Sequence, residues 1–160
     1  MSAFDQASGS GLRSRLLMVL DVELDTPQMS ADTPVGGRKI VTVRGGRFEG
    51  PRLRGSVLPG GGDWALMRSD GVLLLDVRLI LRTDEGALVY LTYHGLRHGP
   101  AETMARLARG ERVDPSQYYF RILPRFETVA GDQEWLNRIV AVGIGDRRAA
   151  GPRYTIHEIL

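Results

Sequence analysis

The sequence predicts an all-β fold, built as a sandwich or a barrel, and three features of the chain support this prediction. Apolar and polar residues alternate over residues 118–128, where Phe120, Ile122 and Phe126 share one face. The longest alternating run, residues 72–82, has leucine or valine at every odd position from 73 to 81. Because successive side chains of a strand point to opposite sides, both segments are predicted strands. Glycine-containing turns separate about eight to ten such segments, as is typical of all-β domains.

The first half of the chain is predicted to contain three extended segments. A loop follows the first of them, because Pro27 and Pro34 interrupt the apolar pattern before the pair Gly36-Gly37. The pair Gly45-Gly46 is predicted to end the second segment. The predicted extended segments are residues 16–24, 38–43 and 48–58.

The second half begins with the flexible turn 59–62, which leads into residues 63–68. Asp70-Gly71 then favours a tight hairpin turn, since both residues tolerate positive φ angles. Residues 100–110 are the predicted helix, with proline early and glycine at the end. The other predicted elements are strands 72–82, 87–94, 118–128, 139–144 and 154–160, a turn at 84–86 and a short helical turn over 132–138.

Length and composition exclude several classes of protein. The 160 residues fit a small polar tail, residues 1–14, predicted to be disordered, and one domain over residues 15–160. The absence of cysteine removes disulfide frameworks and thiolate metal sites. A net charge of +2, with arginines interleaved among acids, does not favour nucleic-acid binding. With no signal peptide and no apolar run of membrane-spanning length, we expect no membrane association and a cytoplasmic protein.

Several motifs occur in an order that resembles one family. They are Gly61-Gly62-Asp63-Trp64, Leu75-Asp76-Val77-Arg78, the segments 82–90 and 97–100, Tyr118-Tyr119-Phe120-Arg121, the segment 124–128 and Trp135-Leu136-Asn137-Arg138. The chain therefore resembles the bacterial and fungal family known as domain of unknown function 3237, or uncharacterised protein family 0311. The resemblance implies an antiparallel β-barrel of the calycin or streptavidin-like kind. It also favours a small organic ligand, since some members belong to natural-product or aromatic-degradation pathways.

The first candidate site combines Asp76 and Arg78, which lie two residues apart on one face of the longest predicted strand. In a barrel, that face is either the solvent face or the cavity face. On the solvent face the two form an ordinary surface ion pair. In the cavity they would orient a polar ligand, with Asp76 as a base.

The second candidate site is formed by Tyr119, Arg121 and Glu127, on the polar face of segment 118–128. Tyrosine and arginine can bind an aromatic, phenolic or carboxylate ligand, and a glutamate can act as a general acid or base. The alternative is again a polar face directed at solvent.

The remaining candidates are single residues. Trp64 follows a glycine-rich turn and is either a core residue or a cap on a barrel mouth, and Asn137 is either a ligand contact or a capping residue. His94 is a candidate catalytic histidine. His94 and His98 are four residues apart, but the neighbouring glycines argue against the helix that would make this spacing suitable for a metal, so no metal site is predicted.

The sequence leaves two functions open. The first is a cofactor-independent enzyme that uses general acid/base chemistry, such as isomerisation, cyclisation or addition–elimination, on a cyclic, aromatic or polyketide-like substrate. Its predicted catalytic residues are Glu127, Asp76 and His94, and its predicted substrate-binding residues are Trp64, Arg78, Tyr90, Tyr93, Tyr119, Arg121 and Asn137. The second is a non-catalytic barrel that binds a small ligand. No nucleotide cofactor is expected, because phosphate-binding motifs are absent, and a homodimer is one expected assembly.

Overall fold

The computed structural model describes residues 11–160, which form a closed, eight-stranded antiparallel β-barrel with one α-helix. Most of the predicted tail, residues 1–14, therefore lies outside the described residues. The strands are β1 (Ser14–Leu24), β2 (Met29–Thr33), β3 (Gly36–Glu49), β4 (Arg54–Val57), β5 (Gly62–Met67), β6 (Leu73–Thr83), β7 (Leu88–His98), β8 (Tyr119–Thr128), β9 (Val140–Arg147) and β10 (Pro152–Ile159). The helix is α1 (Ala101–Ala108), and single 3-10 turns cover Pro115–Gln117 and Glu134–Arg138. Both the all-β prediction and the barrel implied by the resemblance are confirmed.

The barrel closes because β3 pairs with different strands along its two halves. Its first half pairs with β2 and β5, and its second half pairs with β1 and β4. Since β4 and β5 both pair with β6 on their other side, they share one position in the wall. The wall then continues in the order β6, β7, β8, β9, β10 and β1, and β1 meets β3 again.

Three predictions in the first half are wrong. Residues 48–58, predicted as one extended segment, contain the end of β3 and the whole of β4, which residues 50–53 separate. The segment between Pro27 and Pro34, predicted as a loop, contains β2, which pairs with β3 along its length. The pair Gly45-Gly46 does not end a strand, because β3 continues through it. Gly46 has a φ of +142°, and a Cβ atom there would lie 2.1 Å from the carbonyl oxygen of Asp21. The glycine thus permits close approach to β1 instead of forming a turn.

Alternating side chains divide the wall into an inner and an outer face. On β6 the residues at odd positions from 73 to 83 are buried, and those at even positions reach solvent to varying degrees. The same parity continues on β7, where Tyr93 and Arg97 lie on the inner face, whereas β8 and β10 place their even positions inside. No helix within the described part of the chain is long and apolar enough to span a membrane.

Candidate functional site

A cavity of about 140 Å³ lies inside one half of the barrel and reaches solvent at the barrel end. Its wall is mostly apolar, but six ionisable or phenolic side chains are directed into it. They are Lys39, Asp63, Tyr93, Arg97, Arg147 and Tyr154, and exposed residues of the β1–β2 and β9–β10 connections, Asp25, Pro27, Ala149 and Ala150, line the mouth.

The other half of the barrel has no such space, because large side chains fill it. Phe48, Leu79, Leu81 and Leu91 are at most 2% exposed and belong to one continuous apolar cluster. At the cavity end, the inward positions of β5 that line the cavity carry Ala65 and Asp63 in place of such residues. Small or polar side chains at inward positions therefore create the cavity.

Asp63 supplies the carboxylate of the cavity. The pairing of β5 with β6 is interrupted between Asp63 and Leu66, and the Oδ1 atom of Asp63 accepts a hydrogen bond of 3.1 Å from the backbone N–H of Asp76. Burial raises the pKa of Asp63 to about 6, although this hydrogen bond and the positive charge of Arg97 oppose the shift. Asp63 is thus a carboxylate that can accept a proton near neutral pH.

Two tyrosines and a phenylalanine form an aromatic cluster next to Asp63. The ring of Tyr154 lies edge-on to those of Tyr93 and Phe120, with centroid distances of 5.2 Å and 5.4 Å. Burial raises the pKa of Tyr93 and that of Tyr154 above the usual tyrosine range, so both phenols stay protonated at neutral pH. The Tyr154 hydroxyl is buried without a well-formed hydrogen bond to any described residue, although it is close enough to Tyr93 for each phenol to affect the other's pKa.

Three basic side chains complete the cavity. Arg97 projects from β7, with its guanidinium carbon 5.5 Å from the centroid of the Phe120 ring. Burial lowers the pKa of Arg97, of Lys39 and of Arg147. Repulsion from Arg147 further lowers the pKa of Arg97 and that of Lys39, and all three cations line the same cavity.

The arrangement combines a proton acceptor, protonated hydroxyl donors and fixed positive charge in one cavity with a mostly apolar wall. Asp63 can take a proton from a bound molecule, and the Tyr154 hydroxyl can donate a hydrogen bond to an oxygen atom of it. Within residues 11–160, no group of three or more His, Asp or Glu side chains is arranged to hold a metal ion.

Of the predicted site residues, Tyr93 lines the cavity, with 2% of its surface exposed. Asp76 and Arg78 lie on the outer face of β6 as an ion pair of 3.1 Å, and His94 lies beside them on β7, with its Nδ1 atom 3.9 Å from Asp76. Of the two faces predicted for Asp76 and Arg78, the structure shows the solvent-facing one.

The other predicted site residues also lie outside the cavity. Tyr119, Arg121 and Glu127 follow the outer parity of β8, and Tyr90 that of β7. Trp64 is 39% exposed on the outer face of β5, where Arg78 lies over its ring. Asn137 bridges to Thr128, accepting a hydrogen bond from its N–H and donating one to its carbonyl oxygen. A role of these residues in binding or catalysis stays a prediction, but they do not share a site with Asp63.

Sequence reasoning missed five of the six groups in the cavity, although a signal existed for three. Arg97 continues the odd-numbered inner register of β7, but the predicted strand ended at residue 94. Tyr154 alternates with Ile156, and Asp63 alternates with Ala65, so each shares a face with an apolar residue. Lys39 and Arg147 lie where the cavity meets solvent, and no pattern distinguishes them from surface residues.

Comparison with known proteins identifies relatives over nearly the whole chain. The family model described as protein of unknown function (DUF3237) matches residues 13–159. A UPF0311 protein of Rhodopseudomonas palustris is 33% identical over 149 residues, which cover 93% of this chain and 97% of the relative.

Solved structures show the same barrel. The crystal structure of a conserved protein of unknown function from Rhodopseudomonas palustris superposes with a TM-score of 0.90 at 34% identity, covering 94% of this chain and 99% of that one. A β-barrel-like protein from Acinetobacter baumannii superposes with a TM-score of 0.80 at 39% identity. The superposition covers 94% of this chain and 97% of that one. An enzyme from Penicillium herquei superposes with a TM-score of 0.69 at 16% identity, covering 94% of this chain and 96% of that one. At this identity the likeness is one of fold alone.

Proposed function

The chain belongs to the DUF3237 family of proteins of unknown function, and we propose that it is a cofactor-independent enzyme that transfers protons on a small organic molecule in the barrel cavity. One observation carries this proposal. The Asp63 carboxylate, whose pKa burial raises to about 6, and the buried Tyr154 hydroxyl, which lacks a well-formed hydrogen bond, line the same cavity.

The proposed step is removal of a proton from a carbon atom next to a carbonyl group. The Asp63 carboxylate takes the proton, the electrons of the broken C–H bond form the C=C bond of an enolate, and the negative charge moves to the carbonyl oxygen. The Tyr154 hydroxyl, with Tyr93 beside it, donates a hydrogen bond to that oxygen. Return of the proton to another atom of the substrate gives an isomerisation, and the same enolate is an intermediate for cyclisation or addition–elimination.

The proton and the electrons of this step are accounted for by the substrate and the residues of the chain, so the step needs no redox partner. The enzyme from Penicillium herquei is one case in which this fold serves catalysis. That case supports the proposal only by analogy, because one fold hosts unrelated functions.

The proposal is tested by deuterium exchange at the α-carbons of cyclohexanone and 2-cyclohexenone in D₂O buffer, followed by NMR. We expect the wild type to accelerate exchange, and Asp63→Asn to lose at least about 100-fold of the acceleration, as general base catalysis contributes 10²–10⁴-fold. The rate should rise with pH through about 6 and then level off as Asp63 ionises. Asp84→Asn is the matched control, because Asp84 lies in an exposed turn.

Glu127→Gln compares Asp63 with Glu127, a candidate base on the outer wall of the barrel. If Glu127→Gln abolishes exchange and Asp63→Asn does not, the base lies on the outer wall and the cavity assignment is wrong. Equal exchange by the wild type and Asp63→Asn would likewise overturn the proposed role of Asp63.

A non-catalytic binding barrel is the second candidate function. The apolar wall around the Tyr93, Phe120 and Tyr154 cluster favours it, because ligand pockets are mostly apolar with a few placed polar groups. Saturable binding of a cyclic compound with no accelerated exchange would favour this function.

The wider setting of the protein is also proposed. We propose a cytoplasmic location, which the sequence predicts, and a role in natural-product metabolism, which the resemblance to the family implies. The outer wall carries exposed apolar residues, among them Leu123, Val140 and Ile144, which fit the predicted homodimer. Measurement of the solution mass would test the dimer directly.

A further inference from the structure

Positive charge exceeds negative charge at the cavity. Lys39, Arg97 and Arg147 line it together with only two carboxylates, Asp63 and Asp25. Asp25 is exposed at the mouth, where its Oδ2 atom accepts a hydrogen bond of 2.9 Å from Thr42. Once Asp63 takes up a proton, the excess of positive charge grows further.

Arg97 is the least compensated of the three cations. Its Nε atom is buried without a hydrogen-bond partner, and no carboxylate among residues 11–160 lies within 4.0 Å of its guanidinium group. The face of the Phe120 ring lies 5.5 Å from its guanidinium carbon, and the charge of Asp63 attracts it without forming an ion pair. A largely desolvated charge without an ion-pair partner is unfavourable, so an anion bound beside Arg97 would be stabilised there.

The size of the cavity limits what that anion can be. A cavity of about 150 Å³ holds one benzene molecule, and the cavity here measures about 140 Å³. A single ring, or a chain of similar volume, therefore fits between Arg97 and the aromatic cluster. Planar guanidinium groups match carboxylates especially well, because two parallel N–H···O bonds can form.

We propose that the cavity binds a small monocarboxylate of about one ring in size, whose carboxylate group pairs with Arg97. This proposal rests on the proposed function, because it names the substrate class of the same cavity. It places the carboxylate at Arg97 and leaves Asp63 and Tyr154 to act on the rest of the molecule. The three cations offset the repulsion between the substrate carboxylate and Asp63.

The test is an NMR titration of the ¹⁵N-labelled protein with benzoate and with benzamide, its uncharged analogue of the same shape. We expect benzoate to bind at least ten-fold more tightly than benzamide. Arg97→Met should weaken benzoate at least ten-fold and leave benzamide unchanged, and Arg97→Lys should restore part of the affinity for benzoate. Arg82→Met is the matched control, because Arg82 lies on the exposed outer face of β6.

A thermal unfolding measurement separates binding from a structural role of Arg97. Because Arg97 is a half-buried charge without a carboxylate within ion-pair distance, Arg97→Met should unfold at the same temperature as the wild type or higher. If Arg97→Met fails to fold, Arg97 is structural, and the proposal then stands only if Arg97→Lys folds and binds benzoate more weakly than the wild type.

Three results would overturn the proposal: no benzoate binding, equal affinity for benzoate and benzamide, or tighter binding of 1-naphthoate than of benzoate. Asp63→Asn distinguishes this proposal from the proposed function, since it should retain or strengthen benzoate binding. Arg97-dependent binding of benzoate without any Asp63-dependent exchange leaves the carboxylate site standing and overturns the enzyme. Asp63-dependent exchange without a preference for benzoate over benzamide leaves the enzyme standing and overturns the carboxylate site.

Discussion

The two halves of the barrel are built from the same alternating strands but differ in what their inner faces carry. In the filled half, residues such as Phe48, Leu81 and Leu91 pack into a continuous apolar cluster. In the cavity half, the inner positions of the same sheet carry Asp63 and Arg97 among smaller side chains. The filled half therefore supplies free energy of folding, whereas the cavity half loses part of it to polar atoms without a partner within residues 11–160, such as Arg97 Nε.

The largest expected effect comes from truncating a side chain in the filled half. Leu91 is fully buried and lies opposite Leu79 on β6 and Phe126 on β8. We expect Leu91→Ala to lower the free energy of unfolding by about 2–5 kcal/mol, the range for leucine truncations in packed cores. Urea denaturation followed by tryptophan fluorescence measures this loss.

Leu75→Ala is the matched truncation in the cavity half, since Leu75 is buried but borders the existing cavity. Because one side of its side chain borders the cavity, we expect Leu75→Ala to lower the free energy of unfolding by less than Leu91→Ala does. The difference should be about 1 kcal/mol or more. Equal losses of unfolding free energy at the two positions would mean that both halves are equally well packed, which would contradict the distinction between a filled half and a cavity half.

Asp63 gives the next largest effect on the free energy of unfolding, and the size of this effect depends on pH. Its pKa of about 6 in the folded protein exceeds the ordinary value of 3.8, mainly because of burial. A protonated Asp63 therefore costs no stability below about pH 4, whereas its ionisation destabilises the fold as the pH rises through 6. Two pKa units correspond to about 3 kcal/mol.

Asp63→Asn should accordingly be more stable than the wild type by up to about 3 kcal/mol at pH 8 and equally stable at pH 4. An asparagine oxygen can still accept the hydrogen bond from the N–H of Asp76. Urea denaturation of both proteins at several pH values measures the difference in their free energies of unfolding. Contributions from other titrating groups cancel in this difference, because both proteins contain them. A constant difference from pH 4 to pH 8 would show that Asp63 ionises as an exposed aspartate does.

The same contrast explains which parts of the molecule could be predicted. The filled half follows its hydrophobic pattern, so strands such as β6 and the all-β class were recognisable from alternation. In the cavity half, polar residues occupy inner positions and apolar ones, such as Leu123, lie outside. Alternation separates two faces of a strand there without telling which one faces inward. Tyr93 was predicted as a site residue. Asp63 was not, because it lies between a glycine turn and Trp64.

Long-range pairing was the second obstacle to prediction. The interruption between β5 and β6 brings the Asp63 carboxylate to the N–H of Asp76, 13 residues further along the chain. The burial of Arg97 depends on Phe120 and Tyr154, which belong to other strands of the closed wall. No local motif contains such information, because it arises only when the barrel closes.

The smallest expected effect concerns the outer wall, where Asp76 and Arg78 form their ion pair. Their side chains are 38% and 47% exposed, so water and salt screen the attraction. A double-mutant cycle of Asp76→Asn and Arg78→Gln should give a coupling free energy of less than about 1 kcal/mol, falling further in 0.5 M salt. The four proteins of the cycle are compared by urea denaturation. A coupling above about 2 kcal/mol that resists salt would show that water is excluded from this pair, for instance by a partner covering the outer wall. In that case the functional division of this barrel would lie between two faces of the wall and not between its two halves.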